Sequence, residues 1–126
     1  MSYLSLMGGV KGIIYYTYFD LSFNILKEPD LLEAVKTFPA ELQGLIPFLL
    51  DGNGEQLAEN VNGVYAMAWT LDAKRRLVVV NTRDKEAKVS LPFAGGQVLY
   101  GAPRDMRTDR GKISFTIPPL ERVVMK

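Results

Sequence analysis

The chain has 126 residues, enough for one compact domain with a real core, and its 48% hydrophobic and 23% charged content is that of an ordinary globular protein. Fifteen basic residues against fourteen acidic ones leave a net charge of +1, so no long-range field steers it toward nucleic acid or an anionic membrane. With no cysteine and no histidine, disulfides, thiolate nucleophiles, Cys-containing zinc sites and the usual neutral-pH general base are all excluded.

Ser2 to Met7 reads as a short helical piece stopped by Gly8-Gly9. The N-terminal residues lack the basic start and small-residue cleavage site of a signal peptide, and no apolar run approaches the length of a membrane span. The expectation is a soluble cytoplasmic chain without a membrane partner. Val10 to Phe19 is nearly continuously apolar and β-branched or aromatic, the pattern of a strand covered on both faces.

A polar loop follows, ending in Glu28-Pro29, with Asp30 placed to cap the next helix. Leu31, Val35, Phe38, Leu42, Leu45 and Leu49 then step by four and three, a sustained helical stripe. Pro39 and Pro47 interrupt it, so a kinked helix or two short ones are expected, closed by Asp51-Gly52. The oxygen-rich Asp51-Gly52-Asn53-Gly54-Glu55 lacks the spacing of a calcium loop and reads as a helix stop and linker.

Beyond Gly54 the period becomes two. Val64, Ala66 and Ala68 alternate with Tyr65, Met67 and Trp69; Leu77 to Val80 reads as a buried central strand; Val89, Leu91 and Phe93 alternate again. Gln97 to Tyr100, then Ile113, Phe115 and Ile117, then Leu120 to Met125 complete some six short strands. The fold class that follows is α+β: an N-terminal strand–helix unit (1–52) and then an antiparallel Greek-key β-sandwich (53–126). The helix stripe is expected to bury itself on the sandwich or on a second copy, and the lone strand 10–19 has edges that favour a homodimer.

Four stretches resemble, in order, the end of a glycoside hydrolase. Gly9-Val10-Lys11-Gly12-Ile13-Ile14-Tyr15-Tyr16-Thr17-Tyr18 resembles the eighth strand of the family's (β/α)8 barrel, and Glu41-Leu42-Gln43-Gly44-Leu45-Ile46-Pro47-Phe48-Leu49-Leu50 its final helix. Leu77-Val78-Val79-Val80-Asn81 and Ile117-Pro118-Pro119-Leu120-Glu121-Arg122-Val123-Val124 are similar to a central and a closing strand of the β-sandwich that commonly follows such barrels. The resemblance implies a C-terminal piece, because a complete barrel needs about 200–250 residues. The paired carboxylates of a glycosidase would then lie upstream, and Asp20 alone would face an active site. The chain is therefore expected not to be an enzyme on its own, and to need no cofactor or metal.

Two groups of residues carry a candidate binding role. Tyr16, Tyr18 and Asp20, at the end of the barrel-like strand, could line a sugar subsite, or simply be strand core and the start of a turn. Tyr65 and Trp69, with Met67 between them, could form an aromatic platform for carbohydrate, or be packed under the neighbouring helix. Arg104, Arg107, Arg110 and Lys112 are interleaved with Asp105 and Asp109 and read as a solvated hairpin end in a loop, with no nucleic-acid partner.

Overall fold

A computed structural model describes residues 2–9 and 24–126. Three α-helices, α1 (Ser2–Met7), α2 (Pro29–Gln43) and α3 (Ile46–Asp51), precede eight strands: β1 (Asn53–Val61), β2 (Val64–Leu71), β3 (Lys74–Asn81), β4 (Ala87–Leu91), β5 (Val98–Tyr100), β6 (Arg104–Asp109), β7 (Lys112–Ile117) and β8 (Arg122–Met125). The apolar run at 10–19 lies outside the described residues, and so does the strand expected there.

The helices begin and end where local chemistry dictates. α1 closes through Gly8 and Gly9, whose amides donate to the Leu4 and Leu6 carbonyls. α2 starts two residues before the sequence suggests: Pro29 takes the first helical position, Glu28 precedes it without a side-chain cap, and Asp30 sits inside the first turn. There its carboxylate faces the positive end of the helix dipole rather than capping an amide. Pro39 is carried within α2, which leaves the Val35 carbonyl without its helical donor. Pro47 instead falls in the first turn of α3, where its missing amide costs nothing, so the stripe divides into two helices at Gly44-Leu45.

All strand pairs are antiparallel, and the strands form a five-stranded sheet, β1-β2-β3-β8-β5, and a three-stranded sheet, β4-β7-β6. The chain crosses between the sheets after β3, β4, β5 and β7, so β8 returns to lie between β3 and β5. These are the non-local connections of a Greek-key sandwich. Two strands were not legible in advance. Asn53 to Glu55 reads as linker and no apolar period marks 56–61, but Asn53–Val61 is β1, an exposed edge strand paired only to β2. Arg104–Asp109 reads as a loop but is β6, exposed throughout and paired only to β7.

Three of the hairpins use two-residue loops: Asn62-Gly63, Asp72-Ala73 and Arg110-Gly111. In each, both loop residues have positive φ, the requirement of the turn whose twist matches the flanking strands.

Alternation on β2, β3 and β8 feeds two cores. Val64, Ala66, Ala68, Leu77, Val79, Val123 and Met125 point between the sheets, where they meet Val89, Leu91, Phe93, Ile113, Phe115 and Ile117. On the opposite face of the large sheet, Trp69, Val78, Val80 and Val124 meet Tyr3, Leu6, Phe38, Leu45, Phe48 and Leu49 from the helices. β3 is buried on both faces, which is why its sequence reads as an unbroken apolar run. From Phe38 through Leu42 and Leu45 to Leu49 the helix stripe packs on the sandwich, whereas Leu31 at its start is 46% exposed and Val35 joins neither core.

Candidate functional site

Among the described residues the densest arrangement of polar chemistry lies where α1, α2 and β8 meet. The Tyr3 hydroxyl donates to Glu41 Oε2 at 2.5 Å. Arg122 grips the same carboxylate from β8, with Nε donating to Oε2 at 3.3 Å and Nη2 to Oε1. Its Nη1 reaches Glu121 at 3.3 Å. Glu41 is only 7% exposed, and a buried carboxylate persists only where donors replace its lost hydration. Burial, and then the hydrogen bond to Glu41, push the Tyr3 phenol well above its ordinary range. The hydrogen bond to Glu41 likewise raises the Arg122 guanidinium, so it stays charged.

The surroundings are apolar and close-packed. The Tyr3 and Phe38 rings meet edge to face, 5.2 Å apart at 84°. On the same side of the sheet the Arg76 guanidinium lies 4.5 Å over Phe48, fixing α3 to β3, and the Tyr100 hydroxyl donates to the Ala40 carbonyl at 3.4 Å. Glu41 is the one carboxylate buried among the described residues. Its two oxygens are already engaged by Tyr3 and Arg122. The cluster is built to hold helices on a sheet.

A second polar knot secures the loops. Asn81 is 1% exposed at the end of β3. Its amide donates to the Lys85 carbonyl at 2.7 Å and the Pro118 carbonyl at 3.1 Å, while its oxygen accepts from the Arg83 amide at 3.0 Å. One side chain thereby joins the β3–β4 connection to the β7–β8 connection.

The expected binding residues fare differently. Tyr16, Tyr18 and Asp20 lie outside the described residues. Tyr65 and Trp69 share the helix-facing side of β2, as alternation predicts, but Trp69 is 5% exposed and packed in the second core, whereas Tyr65 is half-buried. Gly54 on β1 lies directly opposite Trp69, and a Cβ there would come within 2.4 Å of Met67 Cε and 3.2 Å of the indole nitrogen. Its bare backbone lets both side chains lie flat across the strand. Covered in this way, the indole serves as packing. No group of three or more metal-ligating side chains occurs among the described residues, and no described helix is long and apolar enough to cross a membrane.

Solved structures share this antiparallel sandwich with helices packed on its larger sheet. The chain is similar to the debranching enzyme of Nostoc punctiforme (TM-score 0.65, 18% identity, over 89% of this chain and 27% of that one). It is also similar to isomaltulose synthase from a Klebsiella species (TM-score 0.53, 30% identity, over 68% of this chain and 16% of that one). An Anoxybacillus α-amylase matches at TM-score 0.56 and 20% identity, over 76% of this chain and 22% of that one. These are glycoside hydrolase family 13 enzymes, and the chain has the fold of the C-terminal part of such a protein. It spans roughly a quarter or less of their length. No family model matches the sequence, and no curated protein matches it either.

Proposed function

We propose that this chain is a non-catalytic C-terminal region of a glycoside-hydrolase-like protein, in which the sandwich (53–126) braces the strand–helix segment (1–52). The observation that carries this reading is the second core, where the large sheet spends one whole face on α1, α2 and α3 and locks them through Tyr3, Glu41 and Arg122. A face committed to helices in this way is a buttress. Its similarity to short portions of carbohydrate-active enzymes supports the same reading. Chemistry argues likewise: without cysteine or histidine, proton transfer would fall to carboxylates, and the buried one is engaged structurally.

The test is to assay the purified chain on a panel of nitrophenyl glycosides, and to determine the mass of the endogenous product by immunoblot and mass spectrometry. No turnover, with an endogenous product several hundred residues longer, is the expected result. Turnover that Asp20→Asn abolishes would overturn the proposal.

A further inference from the structure

Cations gather where β3 begins and β8 ends, at the rim of the helix-facing core. Val78 and Val124 face the helices, so alternation puts Lys74, Arg76 and Lys126 on that same side of the large sheet. The register Leu77↔Met125, carried one residue further, sets Arg76 directly opposite Lys126. Like charges opposite each other in a cross-strand pair are destabilising, and the bracing role gives no reason for this one. No ion pair among the described residues involves Lys74, Arg76 or Lys126. Arg76 is half-buried, so its charge is drawn partly out of water with no carboxylate to receive it. Phe48 covers the face of its guanidinium at 4.5 Å, and the Arg75 carbonyl takes Nη1 at 3.0 Å.

With Arg75 these side chains line a groove of about 360 Å³, within the roughly 300–1,000 Å³ of small-molecule sites. Arg75 is held over Phe93 at 5.0 Å and meets Glu55 at 3.8 Å, an exposed pair that contributes little. Backbone bonds fix the far wall: the Lys126 amide donates to the Gln97 carbonyl at 2.9 Å, and its oxygen accepts from the Gly96 and Gln97 amides at 3.1 Å. Charge selects the ligand. A neutral molecule leaves the repulsion between Arg76 and Lys126 in place, and a monocarboxylate offsets only one of the unpaired cations. A short phosphate chain carries several charges and many acceptor oxygens, which guanidinium forks meet bidentately and ammonium groups meet as point charges. We propose that this groove binds a small polyanion of the pyrophosphate class through Lys74, Arg75, Arg76 and Lys126. Since the net charge of the chain is only +1, the attraction is local to the groove.

The experiment is an amide-resolved NMR titration of the full chain with pyrophosphate at constant ionic strength, and separately with citrate, which offers carboxylates in place of phosphates. Pyrophosphate should give saturable shifts centred on residues 74–76, 95–97 and 125–126. Lys74→Gln and Lys126→Gln change exposed side chains and keep every backbone bond, so thermal melts should show an intact fold. Each should weaken pyrophosphate binding about tenfold, the effect of losing one charged hydrogen-bond partner. Lys88→Gln removes the same charge from the small sheet and should leave binding unchanged. Absence of saturable shifts, shifts centred elsewhere, citrate binding as tight as pyrophosphate, or an equal loss in Lys88→Gln would each overturn the proposal. None of these outcomes bears on the bracing role, which is tested by turnover and by endogenous mass.

Discussion

Glu41 on α2 and Arg122 on β8 are 81 residues apart in sequence, yet the guanidinium takes both oxygens of the carboxylate. The pair is asymmetric: the Glu41 side chain is 9% exposed and that of Arg122 is 32% exposed. Removing the partner of a buried charge costs more than the pair contributes, because the remaining charge keeps its desolvation penalty. Arg122→Met should therefore destabilise the chain by about 3 kcal/mol, the low end for buried pairs because water still reaches the guanidinium. Adding Glu41→Leu to Arg122→Met should recover a large part of that loss. Urea denaturation read through Trp69, the sole tryptophan and a member of the helix-facing core, measures both.

Tyr3 gives that same contact a pH dependence. Its phenol has a folded pKa raised above the ordinary 10.0 by burial and by Glu41. Below pH 10 both states hold the proton and the full stabilisation is present. Above it the unfolded chain releases the proton while the folded one keeps it, so stability falls as pH rises. The difference between wild type and Tyr3→Phe, measured by denaturation from pH 8 to pH 11, should shrink above about pH 10. A difference constant across that range would refute the burial of the phenol.

Asn81 should be intolerant of even an isosteric change. Asn81→Ala leaves the Lys85 and Pro118 carbonyls and the Arg83 amide without their partner, a loss of about 2–3 kcal/mol. Asn81→Asp turns a carboxylate toward those carbonyl oxygens and should be worse at pH 7 than at pH 4, where protonation restores a donor. Thermal melts at the two pH values distinguish the variants.

The three two-residue hairpins offer a stabilising change. Gly63 and Gly111 occupy the second loop position of their turns, while Ala73 holds the same position at φ 63°. Ala73→Gly relieves the clash of Cβ with the backbone and should raise stability by about 1 kcal/mol. Calorimetry should show a higher melting temperature.

Trp69→Ala removes the largest sheet-side member of the helix-facing core and should cost about 3–5 kcal/mol.

Where one face of an element is buried and the other wet, the sequence carried the answer. Val89 and Leu91, then Ile113, Phe115 and Ile117, and the Phe38, Leu45, Leu49 part of the helix stripe all end up inside, because burial selects apolar side chains at the period of the backbone. The alternation of Val64, Ala66 and Ala68 with Tyr65, Met67 and Trp69 likewise set the two faces of β2. It could not say which face would meet helices and which the second sheet.

Edge strands escaped this logic. β1 and β6 are paired on one side only, and nearly all of their side chains meet water or lie half-covered, so no apolar period marks them. Their strand state comes from backbone hydrogen bonds to β2 and β7, which any side chain permits. Even the Asn62-Gly63 turn signal makes sense only once β1 has a partner. Glu41 was hidden for the opposite reason: a charged residue reads as a solvated position, and only the fold brings Tyr3 and Arg122 across to satisfy it. Local periodicity recorded which surfaces leave water, a property each residue holds by itself. Which surfaces then meet, and so which charges are paired, which aromatic is covered and which polar face is left open, depends on contacts between residues far apart in the chain and was decided by the tertiary structure alone.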